Sequence, residues 1–244
     1  MYISPNEYYH IYNRGNNKQL IFFNHSNYLF FIQKIREQLL PVADIIAYCL
    51  MPNHFHFIIH ANENNTKERK SFGGKPMQEF TYRLGILLSS YAQAINKQNN
   101  TSGSLFQQKT SAKILTEETD GKKISYLENC FFYLHQNPTA AGLVSHLKDW
   151  MYSSYPDYIG NRKGMLCNKE LFFQHTVLTE DAIKGWTDWD LPDELIKIIL
   201  ITLMVQEWYA LMHTFLLIMV QVALSAPTQE FNPFKYSCPL FSAK

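Results

Sequence analysis

Paired cysteines are missing from this chain. Its four, Cys49, Cys130, Cys167 and Cys238, form no C-x-x-C pair, and no spacing among them is that of a zinc site. A cysteine-held metal or a disulfide framework is therefore not what organises it, and free thiols in a reducing compartment are expected. Net charge is nearly absent as well: 22 Lys and Arg against 21 Asp and Glu leave +1. The even balance hides an asymmetry. Residues 1–165 carry 17 basic and 12 acidic side chains, or +5, whereas residues 166–244 carry 5 and 9, or −4. So mild a positive charge permits a nucleic-acid partner without demanding one. No internal repeat is visible. The N-terminal MYISPNEYYHIYNRG lacks the basic start and apolar run of a signal peptide, so a cytoplasmic location is expected.

What is abundant is apolar and aromatic. The chain is 46% hydrophobic and 18% charged, enough for a sizeable core, and its 15 Tyr and 17 Phe suit both packing and base stacking. An aromatic strand is expected over residues 7–12, closed by the turn Asn13-Arg14-Gly15-Asn16-Asn17. A helix capped by Ser26 is expected to run to about residue 40, with Leu29, Phe30, Ile32, Ile35 and Leu39 as its apolar positions. Residues 42–51 and 54–60 read as two strands of a hairpin around Pro52-Asn53. Polar residues 62–76 read as a flexible loop, residues 77–96 as a helix, and 105–115 as holding a fourth strand. A last helix is expected over 122–136, with Ile124, Leu127, Phe131 and Leu134 on one stripe.

The order β-α-β-β-α-β followed by a helix predicts an α+β fold: a ferredoxin-like antiparallel sheet with helices on one face, plus a helical C-terminal extension. The expected division is residues 1–160 as one domain and 161–244 as the extension. Within the latter, residues 195–224 are strongly apolar, and 17 of them, 208–224, hold no Asp, Glu, Lys or Arg. That is the lower edge of a membrane span, and His213 and Gln221 interrupt it, so a buried or partner-bound helix is the expectation.

Two short motifs carry chemistry. In Met51-Pro52-Asn53-His54-Phe55-His56-Phe57, strand alternation sends His54 and His56 to one face and Phe55 and Phe57 to the other. Two adjacent imidazoles make half a divalent-metal site, although a bare H-x-H is more commonly a pair of hydrogen-bonded sheet histidines. In Tyr133-Leu134-His135-Gln136-Asn137-Pro138, helical spacing puts Tyr133 and Asn137 on one face, away from the apolar stripe, with Tyr126 further back along it. For any single Tyr among 15, a packed aromatic ring with a wet hydroxyl is the commoner reading. Arg14, at a strand end, reads either as an exposed turn residue or as a phosphate contact, and Lys109 and Lys113 flank the fourth strand in the same two-sided way. His10, His60 and His135 read as ordinary polar residues.

Taken in order, five segments resemble one family. They are Tyr9-His10-Ile11-Tyr12-Asn13-Arg14-Gly15, Ala47 through His56, Gly103-Ser104-Leu105-Phe106-Gln107, Tyr133 through Pro138 with Ala141-Gly142-Leu143-Val144, and Tyr152-Ser153-Ser154-Tyr155. Together they cover roughly residues 7–160, and they are similar to the single-tyrosine, HUH-type transposases of the insertion-sequence 200 kind. The likeness is greatest to those associated with repetitive extragenic palindromes (REP). The resemblance implies that His54, His56 and Asn137 hold Mg²⁺ or Mn²⁺ and that Tyr133 is the nucleophile. It implies cleavage and rejoining of single-stranded DNA through a covalent 5′-phosphotyrosine. It also implies a DNA hairpin adjacent to the cut strand and action as a monomer or homodimer; with such a partner, Arg14 and Lys109 are the expected DNA contacts, and no membrane partner is expected. One departure is Thr139-Ala140, which stands where the family usually has a basic residue after Asn-Pro. Two rival readings are a DNA-hairpin-binding relative without catalysis, and a metal-dependent hydrolase of small molecules built on H-x-H.

Overall fold

A computed structural model of the chain describes residues 1–70, 73–115 and 126–186. In chain order the elements are β1 (Tyr8–Arg14), α1 (His25–Gln38), β2 (Asp44–Met51), β3 (His54–His60), α2 (Glu63–Thr66), β4 (Glu68–Lys70), β5 (Pro76–Gln78), α3 (Glu79–Asn99), β6 (Ser111–Ile114), α4 (Tyr126–Ala140), α5 (Tyr155–Tyr158), α6 (Lys169–Gln174) and α7 (Glu180–Lys184). The main sheet is antiparallel with strand order β2-β3-β1-β6, which is the ferredoxin-like arrangement. The apolar segment 195–224 lies outside the described residues. Among those described, no helix is long and apolar enough to cross a membrane.

Period-2 alternation divides the sheet into two faces. Tyr9 and Ile11 of β1, Ile45, Tyr48 and Leu50 of β2, and Phe55, Phe57 and Ile59 of β3 pack beneath α1 and α3 with Phe31, Ile35, Leu84, Leu87 and Tyr91. Phe55 and Phe57 are fully buried there, and each contributes roughly 1.5–3 kcal/mol by leaving water. The two helices of the ferredoxin-like unit therefore share one face, as its topology requires. α4 lies outside that unit and covers the opposite face: Leu127, Phe131 and Leu134 pack with Ile46, Ala47, Cys49, Met51 and Ile58. Phe172 of α6 and Ile183 of α7 join this second core, so residues 161–186 continue the compact unit that runs Met1–Trp189.

Several local expectations change. The first helix is capped by Asn24, whose side chain accepts from the Asn27 N–H, and not by Ser26. Its buried stripe is Tyr28, Phe31, Ile35 and Leu39, while Leu29 is 50% exposed. Residues 62–76 are not one loop. They include α2 and a small β4–β5 hairpin, pinned by Arg69, which pairs with Glu79 at 3.0 Å and lies over the Tyr82 ring at 3.6 Å. The fourth strand shortens to Ser111–Ile114, although Phe106 still bridges Gly15.

α4 is held against the sheet by polar ties. His135 Nε2 and Ser154 Oγ are 2.8 Å apart, and Ser154 Oγ also accepts from the Tyr48 N–H of β2. The Tyr152–Tyr155 strap runs along β2, with Leu50 N–H donating to Tyr152 O and Ser154 N–H to Tyr48 O. Arg162 locks the strap by pairing bidentately with Asp157 and donating to Ser153 O. α4 ends at Ala140, and Gly142 just past it takes a left-handed φ of +66 that suits a helix terminus.

Candidate active site

The α4-facing side of β1 and β3 is polar where the other side is apolar. Tyr12 pairs with His56 across the two strands and Arg14 with His54, so alternate residues of β1 meet the histidines of the H-x-H segment. Each of those histidines is tied back at Nδ1. His54 Nδ1 lies 2.6 Å from Asn53 Oδ1, and His56 Nδ1 lies 2.8 Å from His10 Nε2. An amide oxygen can only accept, so His54 carries its proton on Nδ1 and its Nε2 lone pair is turned towards Asn137. His56 Nε2 is buried and has no hydrogen-bond partner.

From α4, Tyr133 and Asn137 close over this face. The Tyr133 ring centroid is 5.9 Å from His56 and 6.4 Å from His10, edge to face in both cases. Asn137 Nδ2 donates to the Tyr133 carbonyl at 2.9 Å, one turn back. Asn137 is also a hydrogen-bond partner of both the His54 ring and the Tyr133 hydroxyl. Thus Tyr133, Asn137, His54 and His56 converge, together with Arg14. Arg14 ends β1 half-buried, with its Nε buried and unpartnered. Lys113 is on the same face, opposite His10 in the β1–β6 register, where its ammonium donates to the Tyr126 hydroxyl. Lys109 is not part of this group. It is exposed and lines a cleft of about 620 Å³ beside α3, with Met1, Met77, Tyr82 and Leu88.

Electrostatics keep the histidines neutral. Burial, and then the Arg14 charge, lower His54 to about 4, with Asn137 pulling slightly the other way. Burial, followed by His10, His54 and Arg14, holds His56 well below its ordinary value. His10 is lowered to about 3 by burial and the neighbouring Lys113. Burial first, then Cys130, raise the Tyr133 phenol to about 12, against a small lowering from Asn137. Neutral imidazoles with unprotonated Nε2 atoms are the form that ligates a metal. Among the described residues no three His, Cys, Asp or Glu side chains group to hold an ion. The donor set at hand is two imidazoles and an amide oxygen, and the orphaned His56 Nε2 fits it.

Two residues that matter here stand within the quoted motifs, but the sequence alone assigns them no role. Asn53 is the turn residue that orients His54, and His10 is the buried partner of His56. The signal for His10 was the alternation Tyr8, His10, Tyr12, Arg14, once β1 is set beside β3. Gly15 supports the same corner: its N–H donates to Asn53 O at 2.7 Å, and a Cβ there would meet Gln19 O at 2.0 Å.

Fold and side chains together define a ferredoxin-like α+β domain with a histidine-bearing sheet face closed by a helix-borne tyrosine. The resemblance read from the motifs is borne out by a candidate REP-associated tyrosine transposase of Haemophilus influenzae, which is 22% identical over 121 residues. The match takes in 46% of this chain and 58% of that protein's length. A solved structure of a REP-associated tyrosine transposase bound to a REP hairpin is also similar, at a TM-score of 0.47 and 17% identity, over 66% of this chain and 82% of that one. No protein-family model matches the chain.

Proposed function

We propose that this protein cleaves and rejoins single-stranded DNA by metal-assisted transesterification, as a transposase does. The observation that carries the reading is the convergence on one sheet face of two neutral imidazoles with their Nδ1 atoms tied back, a buried unpartnered His56 Nε2, and the Tyr133 phenol across from it. His54, His56 and Asn137 would hold Mg²⁺ or Mn²⁺. When bound, such an ion polarises a phosphodiester oxygen and offsets the charge that builds on the phosphate. Three neutral ligands leave its charge undiminished, which suits a phosphate substrate.

The rest falls to the chain's own groups. The Tyr133 oxygen attacks phosphorus, the P–O3′ bond breaks, and the phenolic proton is balanced by the one taken up at the departing 3′-oxygen. One phosphodiester replaces another, so the joining energy is retained in the 5′-phosphotyrosine and no nucleotide cofactor is needed. Arg14, at the end of β1 beside His54, would donate to a phosphate oxygen. The partner we propose is a single strand beside a DNA hairpin. A single tyrosine cuts one strand per encounter, and the motifs resemble enzymes of that habit.

The test is incubation with hairpin-tailed single-stranded DNA and Mn²⁺, followed by a denaturing gel. A covalent protein–DNA band that needs the ion and disappears in Tyr133→Phe is expected. Metal-dependent hydrolysis of small phosphoesters that persists in Tyr133→Phe would move the assignment to a hydrolase using the same histidines.

A further inference from the structure

His10 is buried, 3% exposed, on a face that β1 shares with the candidate ligands. Its ring lies edge to edge with that of His56, with centroids 5.0 Å apart and planes 23° from parallel, and the Tyr12 ring centroid is 4.8 Å away. The ring nitrogens Nε2 of His10 and Nδ1 of His56 are 2.8 Å apart, so one proton lies between them. Which residue owns that proton decides what His56 can do. Were His10 the donor, the His56 proton would sit on Nε2, a buried N–H with no acceptor. With His56 as donor, Nε2 is a lone pair. His54 follows the second pattern, because its Nδ1 faces an amide oxygen.

We propose that His10 is a positioning residue: by accepting the Nδ1–H of His56 at its own Nε2, it fixes the tautomer and ring orientation that leave His56 Nε2 free for a divalent cation. The proposal rests on the metal reading above and adds to it a residue that the H-x-H motif does not contain. Metal-bound histidines ordinarily donate their second N–H to a carboxylate, a carbonyl or water. A neutral imidazole in that place orients the ligand without bringing a negative charge beside the phosphate to be bound. The arrangement also ties β1 to the chemistry of β3, so that the first and second motif segments act as one unit.

Two measurements test it. Long-range ¹H–¹⁵N spectra of the metal-free wild-type protein report which nitrogen of each histidine is protonated, with the His56 signals assigned by their loss in His56→Asn. Protonation at Nδ1 and a bare Nε2 are expected, and protonation at Nε2 would overturn the proposal. Second, Mn²⁺ titration followed by electron paramagnetic resonance compares wild type with two variants. His10→Phe keeps ring volume but cannot accept, and should weaken Mn²⁺ binding by about ten- to a hundredfold. His10→Gln still offers an acceptor oxygen and should recover most of that loss, which a mere packing role would not produce. Wild-type affinity in a folded His10→Phe would sink the proposal while leaving the metal reading intact, provided His54→Ala still abolishes binding. If wild type itself binds no Mn²⁺ in a way that His54→Ala removes, the metal reading falls and this inference with it. Should His10→Phe fail to fold, the wild-type tautomer decides.

Discussion

The two faces of β3 are opposite in character, apolar on one side and polar on the other. Phe55 and Phe57 point under α1 and α3 into an apolar, aromatic core, while His54 and His56, interleaved with them, point under α4 to a tyrosine, an asparagine and an arginine. The same backbone register serves both. Strand alternation alone sends the phenylalanines to one side and the imidazoles to the other. The comparison teaches that stability and chemistry are separable here at single-residue resolution, and mutations can break or sharpen that separation.

The largest effect is expected at Tyr133→Phe. It removes one oxygen from a half-buried ring, so packing should persist while adduct formation falls by at least roughly 10³-fold, the scale seen when a covalent nucleophile is removed. Thermal melting and gel detection of the adduct should therefore dissociate completely. His54→Ala and His56→Ala come next. Each should abolish ion-dependent cleavage, with Asn137→Ala milder because water can replace an amide oxygen. A cleavage rate unchanged after exhaustive chelation would contradict this part of the reading.

The contrasting experiment is Phe57→Ala, one residue beyond His56. It should cost about 3–5 kcal/mol of stability, the usual range for emptying a fully buried aromatic site. Under conditions where the variant remains folded, activity per folded molecule should stay near wild type. A variant as stable as wild type but inactive would show that the two faces are not separable.

The sequence made much of this legible, and the reason is periodicity. Alternation in residues 54–60 assigns His54 and His56 to one face, and spacing of four puts Tyr133 with Asn137, whatever the tertiary packing. The strand order followed from the alternation of strands and helices. What was not legible depends on phase and on distant partners. Asn24 and Ser26 are both good caps two residues apart, and the aromatic-rich first helix supports two apolar stripes, of which burial selects the one through Tyr28 and Phe31. The β4 strand, Glu68–Lys70, is wholly exposed and charged, so no alternation marks it. His10 looked ordinary because its importance comes from His56, 46 residues away. His135 also looked ordinary, and it is a structural tie between α4 and the strap.

That tie gives a smaller, pH-dependent effect. Burial holds His135 down to about 3, whereas in the unfolded chain it titrates near its ordinary 6.5. Protons therefore bind the unfolded state preferentially. The stability from keeping this imidazole neutral is fully present above about pH 6.5 and is lost as pH falls towards 3. At pH 5 the loss from this one group is about 2 kcal/mol relative to neutral pH. His135→Gln, which can still meet Ser154, should flatten the dependence of melting temperature on pH between 7 and 5 by a corresponding amount. A slope identical to wild type would mean that other buried groups carry the acid sensitivity.

The smallest effect should come from Arg14, and it sharpens the comparison because Arg14 belongs to the chemical face without being asked to do chemistry. Its Nε is buried and unpartnered beside His54, so the guanidinium has a donor to spare for a phosphate. A phosphate contact releases counterions from DNA, and removing one such contact lowers the dependence of log affinity on log salt by about 1. Arg14→Gln should therefore reduce binding to hairpin-tailed DNA modestly, by an amount that shrinks as salt rises, and equally for strands of different sequence. Residues 1–165 carry only +5, so the wild-type slope is itself expected to be shallow, and one unit should be a visible fraction of it. Lys109, outside the site and lining the cleft beside α3, is the control: if Lys109→Gln lowers the slope as much as Arg14→Gln while cleavage is kept, the DNA extends over that side too. If neither changes the slope, the strand does not approach the sheet through Arg14, and its unpartnered Nε must serve the histidine pair instead.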